Sequence, residues 1–93
     1  MNLDAKKILI LGAGTHQVPL IEQAKTMELE VHVCSKYGNY PGISLAPHFH
    51  DVDISDKIKI IKLAKKLRID AILTTATDVC LEGIGAVVDE MNL

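Results

Sequence analysis

Hydrophobic residues recur along this chain in two rhythms, short apolar runs and stripes at helical spacing. Lys7–Leu11, KILIL, is a nearly continuous apolar run closed by Gly12, as expected of a central parallel strand buried on both faces. Residues 18–28 then place Leu20, Ile21, Ala24 and Met27 on one helical face, with Pro19 in the first turn, where its missing N–H costs nothing. Residues 30–34, EVHVC, read as a second, β-branched strand. Residues 35–47 break the rhythm with Gly38, Asn39, Pro41, Gly42 and Pro47, and predict a loop holding at most one helical turn.

Residues 48–52 read as a third strand, more polar than the others and therefore nearer an edge. From Ser55 an amphipathic helix turns Ile58, Ile61, Ala64 and Leu67 inward and Lys57, Lys59, Lys62, Lys65 and Lys66 outward. Residues 71–74, AILT, give a fourth strand, and residues 79–91 a last helix with Ile84, Val87, Val88 and Met91 in register. This alternation predicts one small α/β domain with a parallel sheet and right-handed crossovers. The fourth strand would be an uncovered edge, and the chain stops as a helix finishes, so residues 1–93 read as a domain cut from a longer polypeptide. The apolar bias of that edge predicts weak self-association, a homo-oligomer at high concentration.

Composition narrows the partners. Ninety-three residues leave room for one domain. Aromatic residues make up only 3%, which leaves little surface for stacking bases, and the net charge of −2 gives no basic footprint for nucleic acid. No apolar run approaches the roughly 18 residues of a membrane span, and MNLDAKK has no signal core behind its charges, so a cytoplasmic protein is expected. Cys34 and Cys80 fit two buried thiols in a reducing compartment better than a disulfide framework or a zinc site.

In an open parallel sheet, ligands bind beyond the carboxyl ends of the strands. Those ends carry Gly12-Ala13-Gly14-Thr15-His16-Gln17, Ser35-Lys36-Tyr37, Asp53, and residues 74–78 ending in Asp78. Gly12 and Gly14 permit a tight turn and close backbone approach, and the following helix start attracts an anion. An ordinary strand-to-helix turn favours glycine too. A dinucleotide fingerprint would need a third glycine where Gln17 stands and an acid where the chain reads Cys34-Ser35-Lys36, so NAD is disfavoured. His16 and Gln17 suit either the rim or a capping role. Asp78 suits an N-cap of the last helix, with Glu82 in its first turn, or an acceptor for a ligand amine or hydroxyl. His48 and His50 share a strand face but lack a third ligand, so a solvated edge outweighs a metal site. Gly83 and Gly85 suggest close helix–sheet packing. No nucleophile–base pair, carboxylate dyad or phosphate loop with its lysine is evident.

Three segments, ILGAGTHQVPLIEQAK, YPGISLAPHFHDVDISD and IDAILTTATDVCLEGIGAVVDEMNL, together resemble the N-terminal, pre-ATP-grasp domain of ATP-grasp enzymes. The likeness runs to carbamoyl-phosphate synthase large subunits, biotin carboxylases and purine-pathway ligases, and covers about residues 6–93. It implies a Rossmann-like, three-layer domain with four strands ordered 3-2-1-4, forming one wall of the acceptor-substrate site. It also implies a downstream ATP-grasp domain, with ATP and magnesium held outside this chain and no cofactor within it. In purine-pathway relatives the glycine loop and an acid after the fourth strand hold the substrate. Those positions fall on Gly12, Gly14, Thr15, His16 and Asp78, where many relatives have Glu in place of the last. Many also keep an acid where this chain has Ser35, so no single substrate transfers.

The leading expectation is a substrate-side domain of an ATP-dependent ligase, inactive alone, whose GAGTHQ loop faces a small anionic acceptor. The alternatives are a free-standing nucleotide or small-anion binding module, and an assembly domain pairing through its edge strand.

Overall fold

The computed structural model describes residues 6–74 and 81–93. Four parallel strands, β1 (Lys7–Leu11), β2 (Glu30–Ser35), β3 (His48–Asp51) and β4 (Ala71–Leu73), lie in the order β3-β2-β1-β4. That is the 3-2-1-4 arrangement expected above. Ile8 and Ile10 of β1 face Val31 and Val33 of β2 on one side and Ala71 and Leu73 of β4 on the other. β1 is therefore central, and Ile8 to Leu11 are all buried, which is why its apolar run does not alternate.

Helices α1 (Val18–Thr26) and α2 (Pro41–Leu45) cover one face, and α3 (Lys57–Leu67) and α4 (Leu81–Met91) cover the other. Odd and even strand positions divide accordingly. Ile8, Ile10, Val31 and Val33 meet Ile21 and Ala24 in one core layer. Leu9, Leu11 and Cys34 meet Ile60, Ala64, Ile69, Ile72 and Val87 in the other. Cys34 is a buried core residue, as anticipated, while Cys80 falls outside the described residues.

Two assignments from periodicity, and the packing role given to Gly85, are corrected. Ile58 is 61% exposed, and the buried stripe of α3 runs through Ile60 and Ala64 with Ile61, Leu63 and Leu67 beside it. At 3.6 residues per turn Ile58 lies nearly opposite that stripe. α3 starts after Asp56, whose carboxylate accepts the Lys59 N–H, and it ends at Arg68, which adopts the left-handed conformation common at helix C-termini. Met27 is likewise exposed, because α1 stops at Thr26 and carries the chain off the sheet. Gly85 stands exposed on α4, and a β-carbon there would meet nothing within 4 Å, so close packing does not explain it. In α4 the buried Val87 with Val88 and Met91 keeps the expected face. The proposed helix start at residue 79 lies outside the described residues.

Candidate functional site

β1 delivers the glycine loop to the carboxyl rim of the sheet. The Gly12 N–H donates to Cys34 O at 2.8 Å, extending the β1–β2 ladder by one step before the chain turns. Gly12 has φ +103°, a left-handed backbone that a side chain would strain. The chain then enters a single 3-10 turn, Thr15–Gln17, that leads into α1. α2 docks against this loop through Gly42, whose N–H donates to Ala13 O at 2.7 Å. A β-carbon on Gly42 would lie 2.6 Å from that same oxygen, so only glycine lets the two backbones meet.

Gln17 takes the place of a third fingerprint glycine and fills the loop from within. Its Oε1 accepts the Gly14 N–H at 3.0 Å, and its Cδ lies 3.0 Å from where a Gly12 β-carbon would be. Two N–H groups that a dinucleotide loop could aim at pyrophosphate, those of Gly12 and Gly14, are thus engaged internally.

Beside this loop lies an open cleft of about 260 Å³, lined by Gly12, Ala13, Gly14, Gln17, Ser35, Lys36, Tyr40, Asp53 and Ile54. It falls below the roughly 300–1,000 Å³ of pockets that enclose drug-sized ligands, and suits a small molecule or one end of a larger one. The loop supplies one wall, the end of β2 the second, and the segment after β3 the third. Asp53 Oδ1 accepts the Ser55 N–H at 2.9 Å and its hydroxyl at 2.7 Å. These bonds, the N–H foremost, hold the Asp53 carboxyl below its ordinary range. The cleft therefore offers one cation, Lys36, and one firmly ionised carboxylate.

Of the residues singled out in the sequence, Gly12, Gly14 and Gln17 line the cleft. Thr15 and His16 are exposed on the 3-10 turn beside it, outside the lining. Asp78 lies outside the described residues, as does Glu82's side chain. Ser35, Lys36 and Asp53, placed at the rim from the strand ends, join the lining, whereas Tyr37 is 74% exposed with its N–H on Asp51 Oδ1. Tyr40 escaped the sequence reading. Its only signal is its position before Pro41, at the start of the short helix that Gly42 seats on the loop.

No protein-family profile matches the chain. It is 33% identical over 85 residues to a formate-dependent phosphoribosylglycinamide formyltransferase from Prochlorococcus marinus strain MIT 9515, and 35% identical over 85 residues to that from the pastoris subspecies. Each alignment covers 91% of this chain and 22% of the relative, so the chain spans about a fifth of the length of these curated relatives. Among solved structures, phosphoribosylglycinamide synthetase from Anaerococcus prevotii superposes with a TM-score of 0.84 at 29% identity, over 97% of this chain and 23% of that one. With the strand order and the glycine loop already established, these matches place the chain among the Rossmann-like N-terminal domains of ATP-grasp enzymes.

Proposed function

We propose that residues 1–93 form the substrate-side domain of an ATP-dependent ligase and hold one end of a phosphoribosylamine such as phosphoribosylglycinamide. The observation that carries this reading is the bipolar cleft at the glycine loop. Lys36 suits a phosphate, and Asp53 suits a primary amine, on a ligand that bears both. The names of the two formyltransferases and of the synthetase point to the same substrate class. Thr15 and His16 complete the proposed ligand contacts from the 3-10 turn, and the family resemblance adds Asp78, which lies outside the described residues.

ATP and magnesium belong, in this reading, to a downstream ATP-grasp domain. The loop amides of Gly12 and Gly14, already engaged by Cys34 O and Gln17 Oε1, support leaving the nucleotide to that domain. No described helix is long and apolar enough to cross a membrane, and a cytoplasmic location is part of the proposal. So is weak self-association through β4, whose Leu73 is 42% exposed.

Calorimetric titration of the chain with phosphoribosylglycinamide tests the reading. Binding that weakens about tenfold or more in Lys36→Glu, with no ATP turnover, is expected. Absence of binding, or ATP hydrolysis by these residues alone, would overturn it.

A further inference from the structure

Away from the cleft, on the α3–α4 side of the sheet, three imidazoles gather across β2 and β3. His32 pairs in register with His48, and His50 lies one step further along the strand. His32 Nε2 is 2.7 Å from Glu30 Oε2, and His32 Nδ1 is 3.0 Å from His50 Nε2. An ionised carboxylate only accepts, so in the neutral His32 ring Nε2 carries the proton and Nδ1 is the acceptor. His50 Nε2–H must then donate to it. The His32 and His50 rings are stacked with an offset, their centroids 5.2 Å apart and their planes 25° from parallel. His48 stacks on the face of His32, with centroids 4.6 Å apart.

We propose that His32 Nδ1 and His50 Nε2 form a binding site for a divalent ion of the zinc, nickel and copper class, with water completing its coordination. Two imidazole nitrogens on a tetrahedral zinc ion, each about 2.0–2.1 Å from it, sit roughly 3.3 Å apart. The pair is within a few tenths of an ångström of that spacing. His32 is 5% exposed and anchored through its other ring nitrogen on Glu30, the outer-shell arrangement that fixes a ligating tautomer and raises its basicity. The ion would take the place of the bridging proton. That proton shifts from Nε2 to Nδ1 of His50, so the neutral pair binds metal without net proton release. His50, only partly buried at the sheet edge, supplies the swing that brings its lone pair onto the ion. Imidazole ligands select this class of metal over magnesium or calcium.

The sequence pattern alone would pair His48 with His50; the geometry pairs His50 with His32. Titration of zinc chloride into the chain, followed by calorimetry and by the melting temperature, separates the two. One ion per chain and a raised melting temperature are expected, lost in His50→Gln and retained within about threefold in His48→Gln. Glu30→Gln should weaken binding about 10–100-fold. Imidazole nitrogen resonances of His32 and His50 should shift, and those of His48 and His16 should not. No binding, binding unchanged by His50→Gln, or equal loss in His48→Gln would overturn the proposal.

Discussion

The side-chain oxygen of Gln17 accepts the backbone N–H of Gly14 at 3.0 Å, so the glycine loop is closed by a residue of its own turn. This bond makes the loop a rigid wall rather than an open phosphate cradle. Gln17→Ala would leave that N–H without its acceptor and a void beside Gly12, and should cost about 1–3 kcal/mol in urea unfolding. Gln17→Glu keeps an acceptor at the same place but adds a negative charge to the cleft wall. At a position 5% exposed that charge should also cost stability, and it should weaken any anion bound there.

Gly42 and Gly85 predict opposite signs for the same substitution. Gly42→Ala drives a β-carbon onto Ala13 O and Ile21 Cδ1, and should destabilise by about 1–3 kcal/mol. Gly85→Ala, on an exposed helical face with open space around it, should stabilise by about 0.5–1 kcal/mol. Urea midpoints at unchanged slope read both.

Acid should act on the histidine cluster in two stages. His50 has its pKa lowered from 6.5, by burial first and then by the charges of His32, His48 and Lys66. A depressed pKa means the folded state prefers the neutral ring, so this stability is present above about pH 6.5 and declines as pH falls towards the folded value. Glu30 is lowered from 4.5, first by its bond to His32, so its contribution holds above that pH and is lost below it. Urea midpoints across this range should fall in His-type and then carboxylate-type steps, and His50→Gln should flatten the first step only. The Glu30 side chain is 38% exposed and screened by solvent, so its step should be the smaller.

Much of the fold is legible in the sequence because β1 is buried on both faces and its neighbours carry their own apolar runs. Strand order came from the family resemblance, since periodicity says nothing about which strands are adjacent. The errors share a cause. Ile58 and Met27 are apolar at helical spacing, yet one lies across the helix from the core stripe and the other lies past the helix end. At the site, Gly12, Gly14 and the strand-end residues Lys36 and Asp53 were visible from topology. Tyr40 was not, because it reaches the cleft through the backbone contact between Gly42 and Ala13, which no local pattern encodes. The partnership of His32 with His50 was hidden for the same reason, as it depends on the β2–β3 register.

The most direct test maps the bound ligand on the protein. Backbone amide resonances should be followed as phosphoribosylglycinamide is added, and in parallel as NAD is added. The account predicts that the first moves Gly12, Gly14, Lys36, Tyr40 and Asp53 together, and that NAD leaves them in place. Shifts with NAD at the glycine loop, or shifts with phosphoribosylglycinamide confined to residues away from the cleft, would contradict it.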